Sequence, residues 1–343
     1  MKPTERQLQI LMAIVKEYIN TGVPVGSKAL SEALPFSVSS ATIRNEMGEL
    51  IGMGYLVQPH TSAGRVPSVK GFRLYVNGLA GAEKLNSRDK RMIDSMLPQS
   101  DDPDRLLESA GQALAAITNY AALMTTPSDK SAVVSHVDTV PLGGRTGLVI
   151  LLTSAGAVRN KVYRLSCDIT PELQQAFMNI VKEFFLGRRI EDISVSYVQT
   201  VSATLPLDVM MVVPMLTALA QAAAEAGKSH VKMNGGDHLL YEFDGERARS
   251  IFEFLRSEQD MLSLLGNAGD EVGVIFGDET GRNELKTSSV VVRKYSFGKA
   301  SAGSLGIIGP LRMDYERIIP KIDYFTKIFE SRIKEVFSKY FED

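Results

Sequence analysis

Residues 27–67 read SKALSEALPFSVSSATIRNEMGELIGMGYLVQPHTSAGRVP. Ser27 is placed to cap a short helix, Lys28–Leu34, which Pro35 closes. A second helix starts at Ser39 or Ser40 and runs to about Leu50, where Gly52 and Gly54 end it. Two extended runs follow, Tyr55–Gln58 and Arg65–Pro67, joined by the turn Pro59-His60-Thr61-Ser62-Ala63-Gly64, in which Gly64 is expected to supply a left-handed dihedral. Upstream, Thr4 and Gln7 form a capping box for a first helix. Its apolar stripe is Leu8, Leu11, Val15, Tyr18 and Ile19, and Gly22 and Pro24 stop it. Three helices and then a hairpin predict a helix-turn-helix with a wing over residues 1–75.

A helical wheel divides the segment after Ser39 into two faces. With Ile43 at the origin, Met47 and Leu50 fall within about 40° of it and form the buried side. Ala41, Asn45 and Gly48 lie opposite, flanked by Arg44, Thr42 and Glu49. Ala41 and Gly48 are small enough for a backbone to approach a groove. Asn45 can pair with adenine and Arg44 with guanine or phosphate. Ser39 and Ser40 stand at the helix N-terminus, which suits a phosphate. In the wing, His60, Thr61, Ser62 and Arg65 can donate to phosphate oxygens or enter a minor groove, and Lys70 and Arg73 extend the basic patch. Glu46 and Glu49 count against this reading because they repel phosphates. The plainer alternative makes Asn45 a solvated residue, Arg44 an ion-pair partner of Glu49 and His60 an ordinary surface histidine.

Charge supports the first reading. Residues 1–75 hold 8 Lys+Arg against 5 Asp+Glu, while the rest of the chain is acidic, with 30 against 35. A basic head on an acidic body suggests an anionic partner for the head. The 343 residues predict two or three domains at roughly 100–200 residues each. A single cysteine, Cys167, excludes an intrachain disulfide and a cysteine zinc cluster, and fits a reducing cytoplasm. The segment MKPTERQLQI lacks the apolar core of a signal peptide. Val209–Ala224, the most apolar long stretch, is interrupted by Pro214, Thr217 and Gln221, so no membrane partner is expected.

Beyond the head, residues 76–100 read as linker helices. Asp102-Pro103 starts a long helix whose stripe runs from Leu106 through Ile117 to Ala121 and Met124. Ala132–Val140, Thr146–Thr153 and Val158–Leu165 read as consecutive antiparallel strands, followed by a helix opened by Thr170-Pro171 and ended by Gly187. Glu271–Phe276, Ser288–Tyr295 and Ser304–Ile308 read as further strands of the same sheet, and a C-terminal helix closes the chain, with Pro320 near its start, where a kink is expected. The block between them, with a Met/Ala/Leu-rich helix at Leu207–Ala226, reads as an insertion. The apolar arc of that helix is too wide for one solvated side. It is therefore expected either to face a second copy through Met210, Met211, Met215, Leu216, Leu219 and Ala223, or to be an enclosed core helix.

No catalytic cluster emerges. His60, His136, His230 and His238 lack metal-ligand spacing, Cys167 has no histidine nearby in sequence, and Gly303-x-x-Gly306-x-x-Gly309 lacks the context of a phosphate loop. No enzyme activity, metal or cofactor is expected.

The segments Ser39–Met47 with Leu50, His60–Pro67 and Gly71–Val76, together with Gly309-Pro310-Leu311-Arg312-Met313-Asp314-Tyr315, resemble the heat-inducible transcription repressor family HrcA of bacteria. The resemblance implies an α+β multidomain chain: a winged helix-turn-helix at 1–75, a GAF-like α/β domain with an antiparallel sheet at 101–190 and 268–343, and an inserted dimerising domain at 191–267. It further implies a homodimer that represses chaperone operons by binding double-stranded DNA at an inverted-repeat operator, CIRCE, with the GroEL chaperonin maintaining its activity. Such a protein is cytoplasmic, and nucleoid-associated when bound. The competing reading is a GAF-type small-molecule sensor whose head contacts protein.

Overall fold

The computed structural model describes residues 2–34, 38–60, 63–79, 85–97, 103–126, 131–297 and 301–341. The head is built from α1 (Glu5–Thr21), α2 (Ser27–Ala33), α3 (Ser40–Gly52), a hairpin of β1 (Leu56–Val57) and β2 (Val66–Pro67), and α4 (Val69–Gly78). The expected capping box forms: Thr4 Oγ1 accepts from Gln7 N, and the Gln7 side chain accepts from Thr4 N. Val25 and Arg65 exchange backbone hydrogen bonds at 2.9 and 2.8 Å, so the hairpin gains a third short strand from the α1–α2 connection. This bridge explains Gly64. Its φ is not left-handed; a Cβ there would lie 2.6 Å from the Pro24 carbonyl, so the position needs space rather than a special dihedral.

Two more helices, α5 (Ser87–Met96) and α6 (Pro103–Thr118), lead into β3 (Ala121–Thr125). The helix does not extend to Met124 as its stripe suggested. Asn119 adopts φ 58°, the left-handed conformation that ends a helix, and Ala121–Thr125 are extended and fully buried. Asp102, the expected cap, lies outside the described residues.

The chain then builds β4 (Val134–Gly143), β5 (Thr146–Thr153) and β6 (Val158–Arg164), followed by α7 (Pro171–Phe184), α8 (Val195–Ser202) and α9 (Val213–Ala226). It returns through β7 (Val231–Asn234), α10 (His238–Glu242), α11 (Gly245–Leu255), α12 (Glu258–Gly266), β8 (Gly273–Phe276), β9 (Ser288–Phe297), β10 (Ser301–Pro310) and α13 (Tyr315–Phe341), with Pro320 inside the last helix.

The strands form two body sheets where one was expected. The larger is antiparallel, five-stranded and ordered β7-β3-β10-β9-β8; β4, β5 and β6 make a separate three-stranded sheet. Strand alternation in the larger sheet sorts its side chains cleanly. Ala122, Met124, Val291, Leu305 and Ile307 pack with α6 and α13, while Ala121, Leu123, Val290, Val292 and Ile308 pack with α11 and α12. This helix-covered antiparallel sheet is the body in which the resemblance places a GAF-like domain. Tyr295 is buried in it because Gly303 opposite has no Cβ; one there would sit 2.5 Å from the ring. The Gly303–Gly309 series is thus a strand that makes room for the rings of Tyr295 at Gly303 and Tyr120 at Gly309 and for the β9 backbone at Gly306.

The three-stranded sheet has its own core, running from Ala132 to Ala226 and including α7, α8 and α9. The chain leaves the GAF-like sheet after β3 and returns at β7. Thr126 N donates to His230 O at 2.7 Å and His230 N to Thr126 Oγ1 at 2.8 Å, tying the two crossings together. The expected boundaries at 190/191 and 267/268 do not coincide with these clusters: the first cuts through the core of the three-stranded sheet, and the second would detach α11 and α12 from the sheet they cover.

The head is seated on the body rather than hung from it. Phe72 of α4 is 1 % exposed and its ring centroid lies 6.2 Å from Phe276, 6.4 Å from Tyr315 and 6.3 Å from Tyr18. Burying such a ring contributes roughly 1.5–3 kcal/mol, and each well-placed aromatic pair about 0.5–1.5 kcal/mol more. Beside it, Glu316 accepts from Tyr75 Oη and from Lys16 Nζ, both at 2.9 Å. Partial burial alone would raise the Glu316 carboxyl, but the hydrogen bonds from Lys16 and Tyr75 outweigh it and hold the group below its usual value near 4.5. A carboxyl depressed in the folded state stabilises fully above its unfolded pKa and loses that contribution as pH falls through the folded one. We therefore expect denaturation at pH 6–8 to show the Glu316→Gln variant less stable than the parent, with the gap narrowing steadily below about pH 4. A gap independent of pH would exclude this linkage.

Candidate nucleic-acid interface

Helix α3 is held at one end by Ser39, whose Oγ accepts from Thr42 N at 3.1 Å and contacts Thr42 Oγ1 at 2.9 Å. Ile43, Met47 and Leu50 are buried against the head core. Ser39, Ser40, Ala41, Arg44, Asn45 and Gly48 are exposed, and Thr42 is half-buried. A Cβ at Gly48 would meet nothing within 4 Å. The Arg44 and Asn45 side chains make no hydrogen bond or ion pair among the described residues, so the pairing of Arg44 with Glu49 does not occur. Their donors and acceptors remain available to an incoming molecule.

Glu46 was expected to oppose phosphate binding. It is instead 6 % exposed and turned toward α1. Its Oε1 accepts from Arg6, and its Oε2 accepts from Gln7 Nε2 at 2.9 Å. Gln7 Nε2 also reaches Glu49 Oε2 at 2.6 Å, so one amide bridges both carboxylates. The helical wheel carried the signal: Glu46 falls about 60° from Ile43, at the margin of the buried side. Glu46 thus fixes the rotation of α3 and is buried away from its open face, whereas Glu49, bonded to Gln7, stays exposed at the margin of that face.

The wing residues divide. His60 is exposed, while Thr61 and Ser62 lie outside the described residues. Arg65 is half-buried; its Nη1 donates to Ala63 O at 2.9 Å, and its Nε is enclosed without a partner. Lys70 is exposed at the junction of α3 and the hairpin. Its Nζ donates to Met53 O at 2.8 Å and stands 4.3 Å above the Tyr55 ring. Arg73 does not join this face. Its Nε donates to Glu279 Oε1 at 3.0 Å, its Nη1 donates to Val274 O at 2.7 Å, and its guanidinium covers the Phe276 ring at 4.5 Å. It belongs to the seat between head and body, because α4 turns that side toward β8.

The expected dimer residues are likewise sorted by burial. Met215, Leu216 and Leu219 are fully buried and Ala223 is 1 % exposed, so α9 is the enclosed core helix and these four cannot meet a second copy. The span Val209–Ala226 has a mean hydropathy of 1.5 because it fills this core. Met210 and Met211 remain 43 % exposed, in a 3-10 segment over Leu207–Val212 rather than in the helix. Pro214 explains the break: lacking an N–H, it is tolerated only in the first turn of α9.

The winged helix-turn-helix and the GAF-like body together define a modular regulator of the winged-helix class. The sequence profile described as "HrcA protein C terminal domain" matches residues 104–319. The chain is 32 % identical to "Heat-inducible transcription repressor HrcA" of Acetivibrio thermocellus, covering 98 % of this chain and 97 % of the relative. It is 33 % identical to the protein of that name from Thermobifida fusca, covering 91 % of each. A solved structure described as a hypothetical protein superposes with a TM-score of 0.66 at 25 % identity, covering 98 % of this chain and 100 % of the other. The chain belongs to the HrcA family.

The Gln7 bridge carries a direct expectation. In Gln7→Leu the Glu46 and Glu49 carboxylates lose a shared donor, and thermal unfolding should report a loss of about 1–3 kcal/mol. A variant as stable as the parent would show that Arg6 alone holds α3.

Proposed function

We propose that this chain is a DNA-binding transcriptional repressor of heat-shock chaperone operons, acting as a homodimer on an inverted-repeat operator of the CIRCE type. The observation that carries the reading is the open face of α3, where Arg44 and Asn45 have no partner among the described residues and stand beside Ala41 and Gly48. A side chain of Asn45 type can address adenine bidentately and Arg44 guanine, each such contact being worth about 1–3 kcal/mol of discrimination. Ser39, Ser40 and Thr42 at the helix start, with His60, Thr61, Ser62, Arg65 and Lys70 around the wing, would supply phosphate contacts that position the helix. Arg73 is omitted from this set because the body holds it. Family membership supports a regulator rather than an enzyme, acting in the cytoplasm and on the nucleoid when bound.

Asn45→Ala should relax selectivity at one base pair, and Lys70→Ala should weaken binding to all duplexes and flatten the salt dependence. Arg73→Ala should leave the salt slope unchanged. Fluorescence anisotropy with matched and scrambled operators at several salt concentrations separates these outcomes. Indistinguishable behaviour of the Asn45 and Lys70 variants would sink the assignment, and equal affinity for both duplexes would favour a head that contacts protein.

A palindromic operator calls for a two-fold symmetric reader. With α9 enclosed, the inserted unit at about 132–226 offers a different surface for a second copy, the outer face of its sheet. Val140, Leu148 and Val162 align across the three strands, with Ile150, Leu152 and Val158 alongside. Val162 is 61 % exposed and Val158 52 %. Sedimentation should therefore find Val162→Asp shifted toward monomer while its melting temperature stays close to the parent's. An unchanged dimer would move the interface elsewhere, with Met210 and Met211 the next candidates.

Heat control would follow from marginal stability: a repressor that unfolds early and is refolded by the GroEL chaperonin loses activity when other clients occupy the chaperonin. Refolding with and without chaperonin, scored by operator occupancy, tests this feedback, and equal recovery would count against it.

A further inference from the structure

A cavity of about 380 Å³ opens beside α10 and α11, next to Met233 of the edge strand β7. Its floor is Met233, Leu240, Phe252 and Leu255, and its rim carries Arg249 and Arg256. Leu240 is 61 % exposed and Met233 39 %, so apolar surface here lies open to water. The Arg256 guanidinium makes no hydrogen bond or ion pair among the described residues, whereas Arg249 donates to Glu253 at 3.2 Å. One rim cation is therefore neutralised and one is free. An open apolar hollow with one unpaired cation on its rim can hold a small amphipathic ligand.

We propose that this cavity binds a small amphipathic monocarboxylate, its hydrocarbon part on Leu240 and Phe252 and its carboxylate on Arg256. A planar guanidinium is matched to a carboxylate in two parallel hydrogen bonds. With Arg249 paired to Glu253, a single unpaired guanidinium remains on the rim, which suits one negative charge. The segment between α10 and α11 that borders this cavity also supplies Glu242, Phe243 and Asp244 to the crevice between body and head, where Glu242 faces Arg312 at 3.6 Å. A ligand in this cavity thus touches the element that also lines that crevice.

Titration calorimetry of the full chain with octanoate and octan-1-ol tests the proposal without reference to DNA. Octanoate should bind saturably at one site, and octanol about tenfold more weakly, the factor that one charge-assisted contact supplies. Arg256→Gln should remove the preference for the acid. Leu240→Asp, at an exposed position, should abolish octanoate binding while leaving the melting temperature unchanged. The proposal fails if octanoate does not saturate, if the alcohol binds equally well, or if Arg256→Gln changes nothing.

Discussion

The contact on which the rest of the architecture hangs is the burial of Phe72 between Phe276 and Tyr315. It joins a helix of the head to a strand and a helix of the body, and makes one continuous hydrophobic cluster from Ile10 to Val336. Arg73 and Tyr75 flank that ring and add polar contacts to Glu279, Val274 and Glu316. Burial, reinforced by the hydrogen bond to Glu316, pushes the Tyr75 phenol well above its ordinary value, so it stays protonated as a donor at every physiological pH. A head fixed in this way presents α3 at a set angle to the body. Any event that loosens the seat changes where the head can stand.

The body shows how an interruption of a hundred residues is tolerated. Strands β3 and β7 are hydrogen-bonded neighbours, yet the whole three-stranded unit lies between them in sequence. The unit folds around its own core, so the larger sheet needs only that the two crossings meet, which Thr126 and His230 provide. Loop-closure cost grows slowly with length, and a self-contained insertion reduces it further. The same independence leaves one face of the small sheet uncovered, which is where an assembly contact would be made.

On α3 local and tertiary demands agree. Of its two carboxylates, Glu46 is drawn inward by Arg6 and Gln7, while Glu49 bonds Gln7 and stays exposed at the edge. The centre of the open face then keeps small, neutral or cationic groups, Ala41, Arg44, Asn45 and Gly48. The α1–α3 network thus shapes the potential of the outer surface as well as holding the helix.

Caps, stripes and turn residues made the local elements of the head legible, because Thr4, Gln7, Ser39 and the Ile43–Met47–Leu50 stripe act within a few residues of themselves. The composition of α9 likewise announced a helix with apolar residues nearly all round. Which neighbour would cover it was open, because enclosure and dimerisation demand the same side chains. The division of strands between two sheets, the capture of Arg73 by Glu279 and the inward turn of Glu46 were decided only by tertiary structure. The last two depend on partners 206 and 40 residues away in the chain, and hydrophobic or charge pattern carries no information about which distant residue will supply the other half of a contact.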